Sequence, residues 1–179
     1  MLTELITKRF LKHHARLLAY MDAAEALAHQ VATSAEPQTD FESGRELAKE
    51  FLAFMAVEEI QHEKEEEQIL LPVLAQQLDE AKPNPPKMSM ERMCREHAVG
   101  QRLVKELEHK LAQLEEGQGT VEQEQYYLLS EALHDVVWHY RRHMALENSI
   151  VLPSAERLIP DNRDELWAKS NPNPECPDA

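Results

Sequence analysis

The sequence predicts an all-α fold, an antiparallel up-down four-helix bundle, from three observations. Glycine is scarce, with 4 in 179 residues, and the few aromatics are outnumbered by Ala, Leu, Glu and Gln, the strong helix formers. Apolar residues recur at steps of three and four over long stretches, as on one face of an amphipathic helix. Short segments rich in Pro, Gly or polar residues cut the chain into four such stretches, and helices with short connections fold back on one another.

The first helix is placed at about residues 2–32 by Leu2, Leu5, Ile6, Phe10, Leu17, Leu18 and Met21. Residues 33–40 are polar and include Pro37; Thr39 and Glu42 then have capping-box spacing and open a second helix over about 40–80. Its stripe holds Leu47, Phe51, Phe54, Met55, Ile69 and Val73. The prolines between Lys82 and Lys87 lack a donor and break the chain, so Ser89 reads as the N-cap of a third helix over about 90–115. Gly117 and Gly119 end it, and a second capping box, Thr120 with Gln123, opens a fourth helix over about 121–158. Pro72 and Pro153 are expected to kink or end their helices. The bundle therefore takes residues 1–160, and 161–179 form a C-terminal extension whose Pro-rich end reads as unstructured.

The length suits one domain with a sizeable core. The 19 basic and 33 acidic side chains leave a net charge of −14, a field that repels nucleic acid and anionic lipid. The longest apolar stretch, Ile69 to Ala75, is interrupted by Pro72 and is far too short to span a bilayer. Neither a secretory signal nor a disulfide framework is readable; Cys94 and Cys176 are few and far apart. A cytoplasmic protein without membrane or nucleic-acid partners is expected. Cys94 reads as a small buried hydrophobe.

Aligning the chain on itself reveals a two-helix repeat. His62-Glu-Lys-Glu-Glu66-Glu-Gln-Ile69-Leu-Leu71-Pro72 lies over His143-Met-Ala-Leu-Glu147-Asn-Ser-Ile150-Val-Leu152-Pro153, displaced by 81 positions. His14-Ala15 lies over His97-Ala98 with an offset of 83, a difference that a loop absorbs. On a helix, positions i and i+4 share a face, so His62/Glu66 and His143/Glu147 each aim an imidazole and a carboxylate at one point. Counted from the helix ends at about 1.5 Å per residue, His14 comes level with His62, and His97 with His143, to about a turn. Such groups at core phase need compensation, and two metal ions would provide it. A bridge of oxo, hydroxo or water type and an exogenous ligand would complete the coordination.

His14 is preferred to His13 because Leu17, Leu18 and Met21 lie at +3, +4 and +7 from it, and only one of the two histidines can face inward. His29, His109 and His134 have no repeat partner and read as solvated. Glu63 and Glu65 read most simply as part of a solvated acidic face. Gly100, a turn after His97, allows a close approach or leaves a packing gap. A ferritin-like di-iron site would need equivalent Glu-x-x-His motifs. Those present, Glu59-x-x-His62 and Glu131-x-x-His134, are offset by 72 rather than 81, and Tyr140 stands where a partner of Glu59 belongs.

The pattern H…HxxxE…H…HxxxE resembles the hemerythrin-like, or HHE cation-binding, proteins over about residues 5–158. Typical local phrases are His13-His14, Glu66-Glu67 before Ile69-Leu-Leu-Pro72, Glu96-His97 and Tyr140-Arg-Arg-His-Met144. The resemblance implies a non-haem di-iron site, oxo- or hydroxo-bridged, with His14, His62, His97 and His143 as terminal ligands and Glu66 and Glu147 as bridges. Relatives that use the Glu beside the His make Glu63 a further candidate; His13 and His139 are others. Hemerythrins proper bind dioxygen, and relatives sense oxygen or iron, handle nitric oxide or repair iron centres. Hemerythrins proper carry an i, i+4 histidine pair on the third helix; here Gln101 follows His97, and the pair is His139 and His143 on the fourth. That departure points away from a simple oxygen carrier. The alternative reading is an interaction bundle with a structural or different divalent metal. No nucleophile, dedicated base or nucleotide loop is evident, which disfavours hydrolase or transferase chemistry. With no further module readable, a stand-alone carrier, scavenger or sensor is expected rather than a regulator.

Overall fold

The computed structural model describes the backbone of residues 2–76, 85–116 and 122–158, almost all of it helical. The expected extension at 161–179 and the glycines at 117 and 119 lie outside the described residues. Helix α1 spans Leu2–Thr33. Helix α2 runs from Pro37 to Gln76 as α-helical stretches Pro37–Phe54, Ile60–Glu65 and Leu71–Gln76, joined by π-helical turns at Met55–Glu59 and Glu66–Leu70. Helix α3 is Pro85–Glu116. Helix α4 comprises Gln123–Leu146, a π turn at Glu147–Val151, and Leu152–Leu158. There is no strand and no helix long and apolar enough to cross a membrane among the described residues. α1 packs against α2 and α4, and α3 packs against α4.

The first capping box does not operate as the sequence suggested, and Thr120 of the second lies outside the described residues. α2 opens at Pro37 behind Glu36, with no side-chain cap, so Thr39 and Glu42 lie inside the helix. α3 opens at Pro85, not at 90, which puts Ser89 within its first turns. Proline suits the first helical positions because its φ is already helical and the N–H it lacks would have no partner there. α4 begins at Gln123 behind Glu122, again without a side-chain cap. On α1, Leu17 and Met21 are fully buried while Leu18 is 39% exposed. Neighbouring helical residues point about 100° apart, so only one of the two leucines can face the core.

Pro72 and Pro153 neither end their helices nor stand outside them. A proline inside an α-helix lacks a donor and strikes the carbonyl four residues back. Here the turn ahead of each proline widens: the Leu71 N–H bonds the Glu66 carbonyl and the Leu152 N–H bonds the Glu147 carbonyl, five residues back in both cases. Each of these two π turns thus begins on one of the two glutamates of the repeat.

Apolar side chains close both sides of a polar layer. One cluster contains Leu17, Met21, Phe51, Met55, Leu107 and Tyr140. The other contains Phe10, Leu70, Leu74, Met93, Val151 and Leu152. Between them, His14 follows Phe10 and precedes Leu17, His62 lies between Met55 and Leu70, and His97 lies between Met93 and Leu107. Each buried Leu or Phe contributes roughly 1.5–3 kcal/mol, and one uncompensated buried carboxylate costs more than that.

Gly100 lets α3 approach Tyr140. A Cβ there would lie 2.6 Å from the tyrosine oxygen and 2.8 Å from the ring carbon bearing it. Gly100→Ala gains about 1 kcal/mol of helix propensity but displaces a buried ring, an overpacking that costs about 1–3 kcal/mol. Thermal melting is expected to show a net loss of stability, whereas a raised melting temperature would mean that the ring moves freely.

Candidate metal centre

The four helices bring the six residues of the repeat into one buried layer, each no more than 6% exposed. They fall into two groups, His14, His62, Glu66 and Glu147, and Glu66, His97, His143 and Glu147. In each group the potential ligand atoms all lie within 4.8 Å of one another. The glutamates divide their oxygens between the groups. Glu66 turns Oε1 to His62 Nε2 at 3.4 Å and Oε2 to His97 Nε2 at 3.2 Å. Glu147 turns Oε2 to His14 Nε2 at 2.7 Å and Oε1 to His143 Nε2 at 2.5 Å.

Three imidazoles are oriented through their outer nitrogens. His14 Nδ1 donates to Asn148 Oδ1 at 2.8 Å and His97 Nδ1 to Glu67 Oε1 at 2.7 Å. His143 Nδ1 donates to Glu96 Oε2 at 3.3 Å. A proton on Nδ1 leaves the Nε2 lone pair pointing inward, the arrangement that second-layer partners impose on metal-binding histidines. His62 is held by packing, stacked on His13 at 4.2 Å between centroids and met edge-on by Phe10 at 4.7 Å.

The inner face is electrostatically unbalanced without a cation. His14 and His62 bring their Nε2 atoms to 3.1 Å, and His97 and His143 to 3.0 Å. All four carboxylate oxygens of Glu66 and Glu147 are buried and have no hydrogen-bond partner outside the cluster's own imidazoles and carboxylates. Burial and the charge of Glu147 raise the Glu66 carboxyl well above the carboxylate range. Glu147 is held well below that range because His143, His14 and His62 outweigh its burial. Burial opposes protonation of His143, yet Glu147 and Glu96 hold its pKa up to about 10. Burial lowers the pKa of His62 and His97. Imidazole nitrogens and carboxylate oxygens converging on two points and partnered there only by one another fit a pair of divalent or trivalent first-row metal ions.

Comparison with known proteins agrees with this geometry. A family model, the hemerythrin HHE cation binding domain, matches residues 5–155. The chain belongs to that family. No curated protein and no solved structure matches it. Membership of a cation-binding family, together with the buried His/Glu cluster, supports a metal cofactor in this hemerythrin-like domain.

The remaining candidates surround the cluster without joining either group. His13 Nε2 donates to Glu59 Oε2 at 2.6 Å. Glu63 is 2% exposed and so is not part of a solvated face. It accepts from Gln101 Nε2 at 2.6 Å and from the Tyr140 hydroxyl at 3.2 Å, and burial pushes its pKa up to about 7. Gln101, at the place where hemerythrins proper carry a histidine, thus serves Glu63. His139 donates its Nε2 to the backbone carbonyl of Glu96 at 2.9 Å. His139→Ala is accordingly expected to leave the metal content per chain unchanged by elemental analysis; loss of an ion would return His139 to the ligand set. His29, His109 and His134 are exposed, as read from the sequence. Cys94 is exposed, not buried: at about 100° per residue it sits at the edge of the stripe that carries Met93 and His97.

Sequence reasoning missed Glu59, Glu67, Glu96 and Asn148. One signal was present: Glu67 and Asn148 each follow the glutamate of the repeat at the same 81-residue displacement. Their residue types differ, so matching identities passed over them.

Proposed function

We propose that the protein is a non-haem di-iron protein of hemerythrin type, acting in the cytoplasm, that binds or senses dioxygen or a related small molecule such as nitric oxide, or handles iron. One observation carries the reading: two mirrored donor groups share two buried carboxylates whose oxygens have no other partner. His14 and His62 would hold one ion and His97 and His143 the other, with Glu66 and Glu147 spanning both. Iron in such a site supplies one-electron chemistry and an affinity for small diatomic ligands.

The chain's own residues do the rest. Asn148, Glu67 and Glu96 fix the imidazole tautomers. The apolar clusters on either side exclude water and so strengthen every charge interaction inside. The reading takes the rods to alternate in direction, supported by Ala28, Asp22 and His14 of α1 meeting Ser130, Arg141 and Asn148 of α4 in turn.

The test is elemental analysis with an optical spectrum of protein purified under air. About two iron ions per chain with the near-ultraviolet charge-transfer bands of a coupled ferric pair are expected. A colourless zinc protein would overturn the reading and favour a bundle that works through a protein partner.

A further inference from the structure

We propose that the groove between α1 and α2 is a binding pocket through which small anions reach the centre at its His14/His62 half, and that the equivalent groove between α3 and α4 is sealed. The proposal rests on the cluster holding metal. A cavity of about 390 Å³ opens between α1 and α2, with Phe10, His13 and His62 among its walls. His62 is also the most accessible of the six residues, 6% exposed against 2% or less for the others.

The rim of this cavity carries Arg9, Lys12 and Arg16 in a chain of net charge −14. Arg9 pairs with Glu65, and Arg16 pairs with Glu58 through both guanidinium nitrogens of its fork. Lys12 is exposed and has no ion-pair partner among the described residues. The rim is therefore positive by one charge where the molecule as a whole is strongly negative, and a local field of that sign concentrates anions at the mouth.

The internal repeat supplies the comparison. The 81-residue displacement puts Trp138 over Val57, His139 over Glu58 and Arg142 over Gln61; the 83-residue displacement puts Glu96 over His13. On the α3–α4 side Trp138 packs with Arg142 and His139 bonds Glu96. The Arg142 guanidinium lies 4.4 Å above the Trp138 ring, and His139 donates to the Glu96 carbonyl at 2.9 Å. The Glu96 carboxylate takes a bond from Arg92 at 2.6 Å while holding His143. On the α1–α2 side Val57 is 68% exposed and Gln61 is exposed, and both line the cavity. Val57 and Gln61 thus leave space where their counterparts Trp138, 62% exposed, and Arg142, also exposed, carry larger side chains packed on each other.

The double variant Val57→Trp/Gln61→Arg copies the filled half onto the open one at exposed positions. Azide association with the metal-loaded protein, followed by stopped-flow absorbance, should slow about tenfold or more, and an unchanged rate would overturn the proposal. Lys12→Glu should slow azide by roughly threefold at low salt, with the difference closing at high salt; a salt-independent or absent effect would remove the anion assignment. A third measurement does not need metal: carbethoxylation of His62 in the metal-free protein, mapped by mass spectrometry. It should fall about fivefold or more in Val57→Trp/Gln61→Arg and stay unchanged in Trp138→Val/Arg142→Gln. If elemental analysis finds no metal pair, the functional reading fails, yet His62 labelling still decides whether this groove is the way in. Labelling that ignores the double variant sinks the groove whatever the metal content.

Discussion

Removing the metal is expected to lower the melting temperature by roughly 8–16 °C. An ion that binds only the folded state adds RT ln(1 + [L]/Kd), about 4 kcal/mol at a thousandfold excess over Kd. For a domain of this size about 1 kcal/mol moves the midpoint by roughly 2–4 °C. The structure gives a reason for the loss beyond mass action. The layer buries two glutamates whose four oxygens have no partner outside the cluster, beside imidazole nitrogens 3.0 and 3.1 Å apart. Unfolding separates these groups into water, so the metal-free state gives up part of the stability gained from the surrounding apolar clusters. The check is a pair of calorimetric scans on chelator-stripped and reloaded protein at one pH and salt concentration. Superimposable scans would mean that the fold does not depend on the ions.

Glu66→Gln and Glu147→Gln are expected to act alike on the metal and oppositely on the metal-free fold. Each carboxylate faces both donor groups, so under the proposed reading either substitution would take an anionic donor from both ions. Affinity should fall by more than the 10- to 100-fold typical of an outer partner, leaving well under two ions per chain after desalting. In the metal-free protein the signs separate. The Glu66 pKa is raised above its ordinary 4.5, so the native state is penalised as pH rises beyond that value and the unfolded carboxyl ionises. Replacing Glu66 by a neutral amide removes the penalty, and at pH 7 the metal-free variant should be more stable by about 1–4 kcal/mol. Glu147 is shifted the other way: its contribution is present above the ordinary carboxylate pKa and is lost as pH falls below it. Glu147→Gln breaks a buried ionic group and should destabilise the metal-free protein by about 3–5 kcal/mol. Equal melting of the two metal-free variants, or two ions retained by one of them, would defeat the shared-carboxylate assignment.

Much of the cluster was legible because the information that places it is local. A helix puts i and i+4 on one face whatever surrounds it, so the displaced copies His62/Glu66 and His143/Glu147 could be read directly. The choice of His14 over His13 rested on Leu17, Leu18 and Met21, of which Leu17 and Met21 are buried and Leu18 is not. Helix ends were less legible. Thr39 and Gln123 offered capping spacing, but the chain starts α2 at Pro37 and α4 behind Glu122, because a cap depends on where the preceding link leaves the backbone.

The sequence alone determined the helical class, the repeat and the six residues at core phase, since composition and a 3.6-residue period act within single helices. Tertiary structure decided what meets across them. It turned Glu63 from an expected surface acid into a buried acceptor for Gln101 and Tyr140. It gave the outer nitrogens of His14 and His97 to Asn148 and Glu67, and it spent His139 on a backbone carbonyl. It also left a cavity between α1 and α2 beside His62. Each of these contacts joins residues on different helices, and their partners are set by the relative height and rotation of packed rods. Those two quantities come from how the side chains of all four helices interlock, and no single stretch of sequence carries them.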